Sequence, residues 1–251
     1  LWILYIYLMN IGLILGSFFN VVGLRVPKHQ SIITPRSACP NCQHTLTWKE
    51  LIPVFSYIKQ KGTCTNCSQS ISLLYPAIEF LTGLLFALSL YVIGLDKELV
   101  VAITLISLLV IVTVSDLAYM IIPDKVLAFF LLLFIIERSI IQSDPWYDPL
   151  LGMLIGFGLL FLIGLISKGG MGGGDIKLFG VLGIALGLVN TLLTFFFAAL
   201  IGSVVGMIGM GTGKMKRKKP IPFGPFIAFG ALIAYFFGTD IFKWYVLSFI
   251  Y

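Results

Sequence analysis

Four cysteines and a handful of carboxylates are the residues in this chain whose types and spacing can do chemistry. Cys39-Pro-Asn-Cys42 and Cys64-Thr-Asn-Cys67 form two CxxC knuckles, separated by slightly more than the usual zinc-ribbon gap. Two such knuckles can present four thiolates tetrahedrally to Zn²⁺. Two disulfides are the competing arrangement, disfavoured wherever thiols stay reduced. Structural zinc is the expectation, with His44 left as a surface histidine because four Cys complete the shell. Of the 11 acidic residues, Asp96, Glu98, Asp144, Asp148 and Asp240 fall in short loops on one side and are expected to be solvated, as is Glu50. Glu137 beside Arg138 reads as a local pair. Glu79, Asp116, Asp124 and Asp175 remain, and all sit at the other ends of the apolar runs.

Carboxylates at membrane depth are expensive and usually functional. Two Asp on separate helices facing one pocket titrate as a coupled pair. One then activates a water against a peptide carbonyl, while the other, protonated, donates to the oxyanion and leaving group. From the residues alone three uses stay open: aspartic proteolysis, ion or proton translocation as in a proton-coupled transporter, and structural pairing with lysines. Asp175 follows Gly169-Gly170-Met171-Gly172-Gly173-Gly174 and precedes Lys177. Such a glycine run permits positive φ and close approach of another chain. It lacks the GK[ST] ending of a phosphate loop, and Asp175 would repel an anion.

These residues are embedded in a chain that cannot be a soluble globule. Of 251 residues 59% are hydrophobic and 11% charged, against about 25% charged in ordinary soluble domains. The formal charge of +6 reads as loop topology rather than as a nucleic-acid partner, and no direct nucleic-acid binding is expected. Residues 1–24 carry no charge; without a basic n-region they read as a first span rather than a signal peptide. The chain opens on Leu1 rather than Met, as an alternative start codon or a short truncation would leave it. Residues 25–75 are a polar insert. Uncharged runs follow at 80–95, 99–115, 126–136, 149–167, 178–213 and 220–239; the run 178–213 is too long for one span, and Gly187 and Asn190 offer a turn. The expectation is an all-α polytopic protein of about eight spans, with a small cytoplasmic zinc-binding insert between the first and second. If that insert is cytoplasmic, only Lys97, Arg138 and Lys243 of the 17 Lys and Arg fall outside, which puts both termini outside. The expected domains are thus the first helix 1–24, the insert 25–75, a seven-helix catalytic domain 76–240, and an interfacial tail 241–251 anchored by Trp244 and Tyr245. Gly12 with Gly16, Gly152 with Gly156, Gly183 with Gly187, and Gly202 with Gly206 have the spacing of close helix packing in lipid.

The motifs resemble those of the type IV prepilin leader peptidases, including the late-competence processing enzymes. The likeness rests on Gly16-Ser17-Phe18 with Asn20, Arg25-Val26-Pro27, the double CxxC, Leu51-Ile52-Pro53 and Tyr75-Pro76-Ala77-Ile78-Glu79. It continues through 116–124, ending in Ile122-Pro123-Asp124, then Gly172-x-Gly174-Asp175-Ile176-Lys177, and Pro222-Phe223-Gly224-Pro225. The resemblance implies an aspartic endopeptidase of the bacterial cell membrane. Its substrates would be pilin-like precursors, cut after a glycine at the cytoplasmic face to release a short basic leader. It implies Asp116 and Asp175 as the catalytic pair. Asp124, Lys177, Gly172 and Gly174 would support them, and Glu79 would orient or bind substrate. Members with the full cysteine insert often also N-methylate the new terminus with S-adenosylmethionine, so that activity is implied as well. No Rossmann-type glycine motif identifies a pocket for the methyl donor.

Overall fold

A computed structural model describes residues 2–167, 170–212 and 221–249. Leu1, Lys168, Gly169, residues 213–220 with the basic run 214–219, and the tail end 250–251 lie outside the described residues. Among the described residues the only regular secondary structure is helical; the insert is mostly turns and irregular chain with two isolated bridges. Helix is what lipid requires, since a helix satisfies its own backbone hydrogen bonds. The chain divides into two compact units, Leu1–Val114 and Ser115–Tyr251.

The first unit holds α1 (Trp2–Arg25), the insert with its short helix α2 (Phe55–Lys59), α3 (Leu74–Ile93) and most of α4 (Glu98–Tyr119). In a bilayer, helices gain nothing by trading lipid for leucine, so close backbone packing must hold them together. The α1–α3 seam does this at glycine. A Cβ on Gly12 would come within 2.7 Å of the Gly83 Cα, and one on Gly16 within 2.9 Å of the Glu79 Cα. Farther along α1, Gly23 clears Val114 of α4 in the same way, at 2.8 Å. Where α1 ends, the Arg25 guanidinium donates to the carbonyls of Ser31 (3.1 Å) and Pro35 (2.8 Å), pinning the start of the insert.

The second unit holds α5 (Asp124–Ile140), α6 (Asp148–Ile166), α7 (Gly173–Gly211) and α8 (Gly224–Phe249). α7 is two helices in one. At Gly187 the backbone leaves helical geometry (φ 75°, ψ 178°). Along a straight helix Phe179 and Phe195 would lie about 24 Å apart, yet their ring centroids are 6.3 Å apart. The chain therefore reverses at Gly187, where a turn is expected from the sequence. Counting both arms of α7 with α1, α3, α4, α5, α6 and α8 gives eight apolar helical segments. Six helices, with α7 taken whole, are long and apolar enough to cross a membrane among the described residues, while α5, at 17 residues, sits at the short limit.

Two residues expected to do little make this reversal. Asp148, expected in solvent, accepts the Leu188 N–H at 3.2 Å, a donor freed when the second arm starts. Arg138, expected as a partner of Glu137, donates through Nε (3.2 Å) and Nη2 (2.5 Å) to the Ala185 carbonyl, which ends the first arm. Of the expected glycine pairs, Gly152 and Gly156 abut the α7 backbone, Gly152 facing Gly183 and Gly187. Gly202 and Gly206 meet only side chains, the rings of Phe223 and Phe226 and, at 3.9 Å, Ile221. In the C-terminal segment, residues 241–249 continue α8 as one helix.

Gly187 has a backbone conformation open essentially to glycine, and a Cβ there would overlap the Asp148 carboxyl. Gly187→Ala is expected to cost about 1–3 kcal/mol from the backbone conformation alone, read as a lowered Tm in detergent. Gly158→Ala, with open space around it, serves as a neutral control.

Candidate active site and metal centre

Asp116 and Asp175 come together in the second unit. Asp116 lies near the C-terminal end of α4, where its side chain is only 6% exposed. Beyond it the chain turns sharply through Met120 (φ 54°), with the Met120 N–H on the Asp116 carbonyl (2.8 Å) and the Ser115 hydroxyl on the Ile121 carbonyl (2.5 Å). The carboxylate of Asp116 accepts the Gly224 N–H at 2.6 Å. That donor belongs to the first residue of α8, one of the N–H groups a helix leaves unpaired. The Pro222-Phe223-Gly224-Pro225 motif thereby acquires a role that sequence reasoning had not assigned. A Cβ on Gly224 would fall 2.9 Å from Asp116 Oδ2, so glycine is what lets the backbone reach the carboxylate.

Asp175 sits in the first turn of α7, favoured there by the positive end of the helix dipole. It is close enough to Asp116 for the two charges to repel. The glycines around it are required by space, not by φ, since none of Gly172, Gly173 and Gly174 has positive φ. A Cβ on Gly172 would lie 2.9 Å from Asp175 Oδ2, and one on Gly174 would lie 2.9 Å from the Ile122 Cβ. Gly173 has nothing within 4 Å. The first glycine clears the carboxylate, the second lets α7 approach the Ile122-Pro123-Asp124 turn, and the position between them is free. Asp124 is used otherwise: both its oxygens accept from Lys177 Nζ, at 2.9 and 2.8 Å, and both side chains are exposed. Such a surface pair contributes about 0–1 kcal/mol.

Glu79 belongs to the first unit. It is buried in α3, accepts the Val54 N–H at 2.8 Å and takes a second hydrogen bond from Ser17. Val54 carries φ 60°, a conformation costly for a β-branched residue. Glu79 thus holds the end of the Leu51-Ile52-Pro53 loop against α1. Asn20 adds a bond from its amide to the Tyr75 carbonyl, 3.3 Å. Three motifs far apart in sequence become one buttress.

The insert brings its four cysteines together. All four Sγ atoms lie within 4.8 Å of one another. Cys39 and Cys67 are 3.7 Å apart and Cys42 and Cys64 are 3.9 Å apart, against about 3.8 Å for the edge of a tetrahedron with 2.3 Å Zn–S bonds. The cluster could hold a metal such as zinc. The same knuckle is built twice. Cys39 N–H bonds His44 O and Cys64 N–H bonds Gln69 O (3.0 and 2.8 Å), and each turn closes through positive φ, at Gln43 and Ser68. The Asn66 amide, then the His44 backbone N–H, bring the Cys42 thiol down to about 6. Backbone N–H groups of Cys42 and Asn41 lower that of Cys39. Both effects favour the thiolate that ligates metal. Glu50, expected in solvent, ties the knuckles. It accepts from the Thr65 hydroxyl (2.5 Å), from the Thr47 N–H and hydroxyl (both 2.8 Å), and faces His44 Nε2 at 3.3 Å. With the Thr65 hydroxyl as the main cause and Thr47 next, its carboxyl is brought down to about 2.

Comparison with known proteins agrees with this layout. The bacterial peptidase A24 N-terminal domain matches residues 10–93, and the type IV leader peptidase family matches residues 103–207. A Bacillus subtilis (strain 168) protein named prepilin leader peptidase/N-methyltransferase is 47% identical over 94% of this chain and 95% of its own length. Proteins of the same name from Myxococcus xanthus (38% identical, 81% of this chain, 62% of the relative) and Aeromonas salmonicida strain A449 (30%, 98% and 94%) are also similar. No solved structure matches the chain significantly.

Two outcomes follow from these contacts. Gly174→Ala is expected to lower stability by about 1–3 kcal/mol through overpacking against Ile122, while Gly173→Ala leaves it near wild type in the same detergent melt and Gly172→Ala, which meets only the end of the Asp175 side chain, costs less. Glu50→Gln is expected to speed amide exchange in the insert severalfold at pH 7. Because its folded value is depressed, the stabilisation by Glu50 is complete above the ordinary 4.5 and is lost as pH falls toward about 2. The gap between wild type and variant closes over that window.

Proposed function

The chain belongs to the type IV leader peptidase family, and from that premise we propose that it is a multi-pass membrane aspartic endopeptidase that removes the leader from prepilin-like precursors. One observation carries the reading: of the acidic residues near the turn and glycine loop, Asp116 is buried and within electrostatic reach of Asp175, whereas Asp124 is occupied by Lys177. Asp116 and Asp175 are the catalytic pair. One carboxylate takes a proton from the attacking water and then passes it to the leaving amine; the other, protonated, donates its proton to the developing oxyanion and recovers it when the tetrahedral intermediate collapses to the acid. Gly224 N–H fixes the orientation of Asp116, and Gly172 keeps space beside Asp175. The cut falls after a glycine at the cytoplasmic face, releasing a short basic leader, with both chain termini outside. The positions of the basic residues support that orientation.

Zinc in the insert is structural. Four Cys complete a tetrahedral shell and leave no open position for substrate, and a segment of this size with little apolar core needs such a staple. The relatives' names support a second activity, N-methylation of the new terminus by S-adenosylmethionine. Two cavities, one of about 520 Å³ with no charged lining residue and one of about 230 Å³ with Asp148 and Lys243, carry no feature that assigns either to the donor. No residue is assigned to it.

Mass spectrometry of a prepilin-like precursor incubated with purified enzyme tests the reading. Asp116→Asn and Asp175→Asn are each expected to lower cleavage by about 10²–10⁴-fold, and Asp124→Asn far less. Normal trimming by either of the first two, at normal expression, would overturn the dyad. A methyl group on the product, dependent on added S-adenosylmethionine, would establish the second activity.

A further inference from the structure

The polar insert does not keep clear of the helices that flank it. Trp48 (in a 3₁₀ turn, Trp48–Glu50), Leu51, Ile52, Pro53 and Phe55 face Asn10, Leu13, Ile14 and Ser17 of α1 across a groove of about 520 Å³. Ser17 lies about 12 Å along α1 from Arg25, the charged end of that span, and Asn10 about 22 Å. Val54 is tied to Glu79, about 8 Å inside the start of α3. The contacts at Glu79 and Ser17, about 8 and 12 Å in, both fall within one leaflet of about 15 Å, and the α1 wall of the groove continues past that depth toward Asn10. The loop's surface suits that depth: Trp48 (70%), Phe55 (61%) and Ile58 (68%) are largely exposed, and Leu51 and Ile52 partly so. The polar atoms on the α1 side are already engaged, with the Asn10 amide on the Ile6 carbonyl (2.7 Å) and Ser17 on Glu79.

Charge supports the same partner. Between Arg25 and Tyr75 the basic residues are Arg25, Lys28, Arg36, Lys49, Lys59 and Lys61, against Glu50 as the single acid. Lys49 and Lys59 flank the apolar stretch and are long enough to reach headgroups from its edges. Lys49 Nζ stands 5.5 Å from the Trp48 ring, so the cation and the amphipathic ring act as one interfacial anchor.

We propose that residues 48–58 are a re-entrant element embedded in the leaflet, and that the groove between this element and α1 is filled by the acyl chain of an anionic phospholipid. The bilayer then supplies the apolar contacts that the segment lacks within the protein. Glu79 and Ser17 hold it at that depth. The zinc knuckles are anchored to the membrane from below, through Trp48 next to Thr47 and Glu50. None of this depends on the peptidase reading.

The test uses the full chain in anionic phospholipid bilayers, with Trp2, Trp146 and Trp244 replaced by Phe so that Trp48 is the sole indole. Emission is expected to fall severalfold in lipids brominated midway along their acyl chains and to change little with aqueous iodide. Iodide quenching without bromolipid quenching would overturn the proposal, and protection from both would mean that protein covers the segment, which overturns it too. The unmodified chain gives an independent reading. A phospholipid with a photoreactive group in its acyl chain is expected to label the peptide containing residues 48–58. Labelling of α1 with none on that peptide would refute the embedding. Cleavage of a precursor by the same samples reports separately on the enzyme.

Discussion

Lipid removes the force that usually assembles a fold. Burying leucine against leucine gains nothing when the alternative is an acyl chain, so the helices of this protein are held where backbones come closest. Gly12 and Gly16 against α3, Gly23 against α4, and Gly152 against the α7 arms are places where even a methyl group would collide. The same device builds the catalytic candidates. Gly224 brings a helix N-terminus onto Asp116, Gly172 makes room for the Asp175 carboxyl, and Gly174 seats α7 on Ile122. Glycines that pack helices and glycines that shape chemistry are one population, obeying one steric rule.

Burial without water also dictates where polar side chains must go. The reversal at Gly187 frees a carbonyl at one helix end and an N–H at the other, and each must find a partner. Arg138 takes the carbonyl of Ala185 and Asp148 takes the N–H of Leu188. At the opposite end of the same arm, Asp175 begins the helix. That arm, residues 173–186, rises only about 21 Å, short of the ~30 Å of a bilayer core. If the capped reversal sits at one surface, the carboxylate is held inside the other leaflet.

What could be read from the sequence was whatever is written locally. The apolar runs, the CxxC spacing and the turn within 178–213 rest on neighbours along the chain, and the structure contains them. Contacts between distant segments were not legible. Asp148 looks like any loop aspartate until Leu188 is beside it, and Glu50 looks solvated until Thr65 arrives from the second knuckle. Nothing in Pro222-Phe223-Gly224-Pro225 announces a hydrogen-bond donor for a residue on α4. The two knuckles were legible from CPNC and CTNC, but the positive φ that closes each one residue later, at Gln43 and Ser68, was not.

The choice among carboxylates shows why geometry is needed even when motifs are dense. Asp116 and Asp124 flank the same turn and are equally acidic in isolation. Their fates separate through two contacts: a cation reaches Asp124 from one turn into α7, and a backbone N–H, which brings no full charge, reaches Asp116. An ion pair in solvent neutralises and is weak. A carboxylate that accepts a backbone N–H, beside a second carboxylate, is left without a neutralising cation in the contacts described. That difference, more than the presence of acid, is what separates the two carboxylates and underlies the proposal of Asp116, with Asp124 tying the turn to α7.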